Sequence, residues 1–78
     1  MPHIVIKTLS GKSPQMLQDA AEQVAVAVNK SMTVGMEHIS VSVEEYTRAE
    51  WPGVYNECIK DNDAVVIKPG YSDPVTFE

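Results

Sequence analysis

The sequence lacks most features that would tie it to a metal, a disulfide or a nucleic acid. Its single cysteine, Cys58, excludes an intrachain disulfide and a cysteine-based zinc site. The two histidines, His3 and His38, do not have the spacing of a metal motif. The sequence has six basic and eleven acidic residues, so the net charge is -5. An acidic chain does not offer the basic surface that nucleic acids require.

The sequence also lacks a signal peptide and any apolar run long enough to span a membrane. With a free thiol, this predicts a cytoplasmic protein and no membrane partner. The 78 residues predict a single domain, residues 1–78, which is small enough to need additional stabilisation. Because 44% of the residues are hydrophobic and neither a disulfide nor a metal site is available, self-association is the expected source of that stability.

The first half of the chain predicts a strand, a helix and a second strand. Residues 2–8 are rich in β-branched side chains and precede the breaker Gly11. Ser13 and Pro14 predict the start of a helix that ends near Met32, with Gly35 as its terminator. Its apolar stripe consists of Leu17, Ala21, Val24 and Val28.

Residues 38–44 alternate between apolar and polar side chains, which is typical of a half-buried strand. A strand, a long helix and a second strand predict a right-handed βαβ unit with parallel strands, in the α/β (α+β) class. One helix covers only one face of such a sheet. Since parallel sheets are normally covered on both faces, the pattern predicts a homo-oligomer.

The second half is less regular. Thr47 and Glu50 have capping-box spacing, and a short helix is expected at residues 52–60. Residues 64–67 are predicted to form either a short strand or a continuation of that helix. Residues 72–78 are expected to be a tail.

Several segments together resemble the 4-oxalocrotonate tautomerase family. The start of the chain, one turn and the second strand resemble the family in general, and the later segments resemble a subgroup of small bacterial phenylpyruvate-type tautomerases. In order, these segments are Met1-Pro2-His3-Ile4, Ser10-Gly11-Lys12-Ser13, residues 39–45, Glu50-Trp51 and Lys68-Pro69-Gly70-Tyr71-Ser72.

The resemblance implies βαβ subunits that pair as dimers and are sometimes stacked into hexamers, with the dimer favoured by the subgroup. It also implies an isomerase that interconverts keto and enol forms of 2-oxo and 2-hydroxy-enoic acids, such as enol phenylpyruvate. No metal or organic cofactor is implied.

Pro2 is the candidate catalytic residue. Tautomerisation needs a group that takes and returns a proton near neutral pH. An ordinary α-amine has a pKa of about 7.7–8.0, and apolar walls or nearby cations lower it. The family assigns this role to the proline that matches Pro2, once Met1 is removed. The alternative is that Pro2 only permits the removal of Met1.

The family's two substrate-binding arginines match Lys12 and Ser40 here. Lysine keeps the charge but loses the bidentate geometry, and serine loses the charge. Their absence favours a monocarboxylate with an apolar or aromatic tail over a dicarboxylate. The alternatives are a solvated turn lysine at Lys12 and an ordinary strand serine at Ser40.

The remaining candidates have structural alternatives of similar or greater weight. Trp51 matches the aromatic wall of the family's pocket, or it is a core or interface residue. Arg48, the only arginine, contacts a substrate carboxylate or forms a surface ion pair with a glutamate. His3 is expected on the strand face opposite to Pro2. Tyr71 is a hydroxyl donor or a packing residue, and Cys58 is expected to be buried and inert.

Two other functions fit the same pattern less well. A hydratase or dehalogenase with the same fold usually recruits more arginines than the one in this chain. A non-catalytic binding or structural module would explain the loss of both family arginines.

Overall fold

The computed structural model describes all 78 residues and divides into two compact units, Met1–Glu45 and Tyr46–Glu78. Each unit is described by itself. The single domain expected from the sequence therefore stays a prediction. No helix of the chain has both the length and the apolar character needed to cross a membrane.

The first unit is a βαβ arrangement with two parallel strands, which confirms the predicted fold class. Strand β1 spans His3–Leu9, helix α1 spans Pro14–Met32 and strand β2 spans Ser40–Tyr46, with its last residue in the second unit. Strand β2 starts two residues later than predicted because Met36–His38 form a turn of 3₁₀ helix. The two edges of this sheet have no further strand in the chain.

Helix α1 begins and ends through local hydrogen bonds. The Ser13 hydroxyl accepts from the Met16 amide at 3.2 Å, as its capping position predicts. The helix is capped after Met32 by Thr33, which has a left-handed φ of 56° and donates its amide to the Asn29 carbonyl. Gly35 was the predicted terminator, so this detail is wrong. The Asn29 side chain stabilises the ending by donating to the Val34 carbonyl at 2.6 Å.

The two faces of β1 differ in exposure. Ile4 and Ile6 are half-buried, whereas His3, Val5 and Lys7 are exposed. The helix stripe of Leu17, Ala21, Val24 and Val28 is also half-buried. This alternation is the pattern of a sheet with one covered and one open face.

The second unit begins with the predicted capping box. The Thr47 amide donates to Glu50 Oε1 at 2.8 Å, and the Glu50 amide donates to Thr47 Oγ1 at 3.2 Å. The predicted helix at residues 52–60 is found as helix α2, Trp51–Val54, followed by a π-helical turn at Tyr55–Ile59. The Lys60 amide closes that turn on the Tyr55 carbonyl at 2.8 Å.

Residues 64–67 form neither the strand nor the helical continuation that was predicted. The Asn62 side chain instead forms a turn after the π-helical segment, since it donates to the Cys58 carbonyl and accepts from the Ala64 amide. Val66 and Ile67 are 93% and 89% exposed. Cys58 is free and only half-buried, whereas the sequence predicts a buried residue.

Candidate active site

Pro2 lies immediately before β1 and is half-buried. Its carbonyl accepts a hydrogen bond from the Ser40 amide at 3.2 Å, so the backbone at Pro2 is already paired with β2. Chain termini usually fray, and this pairing fixes the position of the proline ring. With Met1 attached, the nitrogen of Pro2 is a tertiary amide and has no basic lone pair.

His38 lies close to the same end of the sheet, and the sequence analysis assigned it no role. Its Nδ1 is 3.0 Å from the sulfur of Met1, and its Nε2 is 3.6 Å from Glu37 Oε1. The contact with the sulfur is made by Met1 and is therefore lost when Met1 is removed. This contact joins residues 37 positions apart, so no local pattern in the sequence reveals it.

The Ser40 hydroxyl belongs to the open face of the sheet. Ser40 Oγ is 2.7 Å from His3 Nδ1, and Ser42 Oγ is 3.4 Å from His3 Nε2. Successive side chains of a strand point to opposite faces, so this face is opposite to the one that Pro2 and Ile4 share. A substrate that used the Ser40 hydroxyl would have to compete with His3.

Lys12 and Pro2 lie at opposite ends of β1. Lys12 is exposed in the loop between β1 and α1. The strand between them rises about 3.3 Å per residue, which over its length is on the order of 20 Å. The two side chains of one chain therefore do not meet at one substrate.

Arg48 lies over an aromatic ring of the second unit. Its guanidinium carbon is 4.8 Å from the centre of the Phe77 ring, a cation–π arrangement. The alternative expectation of a surface ion pair with a glutamate is wrong, since the chain's ion pairs involve Lys7 and His38 instead. The C-terminal segment makes this contact possible, because the Phe77 amide donates to the Asp73 carbonyl at 2.8 Å.

Trp51 is one of two buried hydrophobic residues, the other being Val54. Its indole N–H donates to the Tyr71 hydroxyl at 2.9 Å. The Tyr46 ring packs edge-on against Trp51 at 6.3 Å, and the Phe77 ring packs edge-on against Tyr71 at 5.1 Å. Trp51 thus anchors an aromatic cluster in the second unit, and Tyr71 is both a packing and a hydrogen-bonding residue.

Two exposed carboxylates have perturbed pKa values. The Thr47 amide and hydroxyl hold the pKa of Glu50 below its usual value. The amides of Val75 and Thr76, together with the Thr76 hydroxyl, do the same for the pKa of Asp73. Both shifts arise from capping and turn hydrogen bonds to the ionised form. Nowhere in the chain do three histidine, cysteine, aspartate or glutamate side chains gather as a metal site would require.

The lowered Glu50 pKa predicts a pH-dependent stability. A carboxylate with a depressed folded-state pKa stabilises the fold above its unfolded pKa, near 4.5, and this contribution is lost as the pH falls through the lower folded value. Replacing Glu50 with Gln should therefore reduce the urea midpoint at pH 6 but hardly change it at pH 3. Glu57→Gln, also exposed, is the matched control and should leave both midpoints unchanged. Equal effects of Glu50→Gln at both pH values would contradict this prediction.

Comparisons with known proteins found similar sequences and similar folds. No family model matches the chain. A "Probable tautomerase" of Xylella fastidiosa (strain 9a5c) is 29% identical over 73 residues, covering 91% of this chain and 89% of that protein. TomN, a 4-oxalocrotonate tautomerase homologue in the tomaymycin biosynthetic pathway, is 30% identical with a TM-score of 0.62, covering 64% of this chain and 77% of that one.

A second solved structure is similar to this chain in fold and sequence. YwhB, a homologue of 4-oxalocrotonate tautomerase, is 28% identical with a TM-score of 0.59 and covers 60% of this chain and 77% of that one. The chain is thus similar to these proteins in both fold and sequence. The sequence similarity to the Xylella fastidiosa protein covers most of the chain.

Proposed function

The chain belongs to the 4-oxalocrotonate tautomerase family, and on that premise we propose that it is a cofactor-independent tautomerase that uses the amine of Pro2. The observation that carries this proposal is the ordered position of Pro2, whose carbonyl is fixed by the Ser40 amide. Removal of Met1 would free a secondary amine at a defined point of the sheet. No second function is favoured by a specific observation.

The proposed reaction moves one proton. The neutral nitrogen of Pro2 takes the hydroxyl proton of an enol, and the oxygen electron pair forms the carbonyl. The electron pair of the carbon–carbon double bond then takes the proton back from the prolinium at the adjacent carbon. Nothing is oxidised or reduced, so one group that is both base and acid is sufficient.

The proposed substrates are monocarboxylic 2-oxo acids with an aromatic or apolar tail, such as enol phenylpyruvate. Lys12 offers one positive charge for the carboxylate, and Ser40 offers none. The aromatic cluster around Trp51 offers the kind of apolar wall that such a tail requires. Arg48 is the other cation proposed for substrate binding. The free thiol of Cys58 fits a reducing compartment, and we assign the chain to the cytoplasm.

Self-association is part of the proposal. Strands β1 and β2 form a two-stranded sheet whose edges pair with no further strand of the chain, and Val5 on its open face is exposed. Parallel sheets are normally covered on both faces, and two strands alone are too few for independent stability. A homodimer would cover this surface and could bring Lys12 of one subunit towards Pro2 of the other. A hexamer is the alternative assembly.

Phenylpyruvate tests the activity directly. The absorbance of its enol decays as the keto form appears. Protein whose intact mass shows that Met1 is absent should accelerate this decay. Pro2→Ala should be slower, although an alanine amine retains some basicity. Pro14→Ala, which changes an exposed proline at the start of α1, should match the unmodified chain. No acceleration by the processed chain would remove this activity from the proposal.

The separation of Lys12 and Pro2 predicts complementation between subunits. Pro2→Ala and Lys12→Ala chains should each have low activity. When the two are unfolded and refolded together, random pairing makes half of the dimers mixed, and each mixed dimer has one intact site of two. The mixture should therefore recover about a quarter of the activity of the unmodified dimer. Sedimentation equilibrium should give twice the 8.6 kDa chain mass. A monomeric mass with no gain on mixing would contradict the shared site, and six times the chain mass would replace the dimer with a hexamer.

A further inference from the structure

The second unit contains a cavity of about 480 Å³. This volume is within the usual range of small-molecule sites, about 300–1,000 Å³. Its walls include two aromatic rings and four charged side chains: Tyr55, Tyr71, Lys60, Asp61, Asp63 and Lys68. Tyr71 also belongs to the aromatic cluster around Trp51, whereas the other five residues have no role in the function proposed above.

The charges around this cavity balance. Its lining includes two lysines and two aspartates, all of them exposed, and none of the four forms an ion pair within the chain. Unpaired charges of both signs favour a ligand that also carries both signs. A simple anion would be attracted by the lysines and repelled by the aspartates, so a net-neutral wall gives it little advantage.

Tyr71 adds a directed hydrogen-bond donor. Its hydroxyl oxygen accepts from the buried Trp51 at 2.9 Å, which leaves its own hydrogen available for another acceptor. The ring is held between Tyr55, at 5.7 Å, and Phe77, at 5.1 Å. The donor is therefore fixed in place before any ligand binds.

We propose that this cavity binds a zwitterionic aromatic amino acid. The ligand's carboxylate would be held by the Tyr71 hydroxyl and the ammonium groups of Lys60 and Lys68. Its ammonium would lie against Asp61 and Asp63, and its ring would pack on Tyr55. This site is independent of catalysis by Pro2.

Three probes that share one phenyl ring and differ in charge test the proposal. L-Phenylalanine carries both charges, 3-phenylpropanoate only the negative one and 2-phenylethylamine only the positive one. Two-dimensional NMR follows the backbone amides of Asp61 and Ser72, which line this cavity and are not among the residues proposed for substrate binding, so their shifts report binding here. We expect a saturable change with L-phenylalanine at a dissociation constant at least about threefold lower than with either other probe.

Charge-removing variants assign the contacts. Lys68→Gln and Asp63→Asn should each weaken L-phenylalanine binding about threefold. Lys68→Gln should leave 2-phenylethylamine binding no weaker, and Asp63→Asn should leave 3-phenylpropanoate binding no weaker. Lys30→Gln on α1 is the control and should change nothing. The proposal is overturned if L-phenylalanine gives no saturable change, if 3-phenylpropanoate binds as well, or if both variants behave like the control.

Discussion

A chain with one additional residue before Pro2 is expected to lose about 10²- to 10⁴-fold in kcat/KM for enol phenylpyruvate, the usual size of a general acid–base contribution. The additional residue converts the proposed secondary amine into a tertiary amide, which cannot take a proton near neutral pH. The rest of the fold is unaffected, because the Pro2 contact to Ser40 uses the carbonyl rather than the nitrogen.

This experiment needs a matched pair of proteins. Two fusions can be cleaved so that one leaves Pro2 as the first residue and the other leaves a glycine before it. Intact masses verify the two ends, and circular dichroism verifies that both chains are folded. Equal activity of the two chains would exclude the nitrogen of Pro2 as the acid–base group.

Truncation of Trp51 should have the largest effect on stability. Trp51→Ala is expected to cost about 3–5 kcal/mol, the range measured for buried aromatic residues. Only Trp51 and Val54 are buried, so few other contacts can compensate. A chain of this length has about 4–12 kcal/mol of stability, so the expected loss is a quarter of the total or more.

Two milder variants separate packing from hydrogen bonding. Tyr71→Phe keeps the ring but removes the acceptor of the Trp51 N–H, and it should cost about 1–3 kcal/mol. Trp51→Phe keeps part of the packing and should lie between Tyr71→Phe and Trp51→Ala. Urea unfolding followed by circular dichroism measures all three. A Trp51→Ala midpoint equal to that of the unmodified chain would contradict the proposed anchoring role.

The first unit was largely predictable because its signals are local. The Ser13 cap, Pro14 and the stripe from Leu17 to Val28 lie in one continuous segment, and α1 has the predicted ends. The strands follow from alternation over a few residues. The errors at the start of β2 and at Gly35 arise from a 3₁₀ turn and a left-handed threonine, neither of which periodicity reveals.

The second unit was less predictable because its contacts join distant residues. Arg48 meets Phe77, and Trp51 meets Tyr71, only because the C-terminal segment folds back. Residues 64–67 have the composition of a strand, but no strand of the chain pairs with them. The candidate site divides in the same way, since Pro2 was identified from sequence whereas the contact between His38 and Met1 was not.

The titration of the Pro2 nitrogen tests the central claim most directly. In processed chain labelled with ¹⁵N at proline, the chemical shift of Pro2 gives the pKa of its amine, and the pH profile of kcat/KM gives the pKa of the catalytic base. The proposed mechanism predicts that the two values coincide, with activity rising as the amine loses its proton. A kcat/KM that stays constant through the titration of Pro2, or that follows a different pKa, would contradict it.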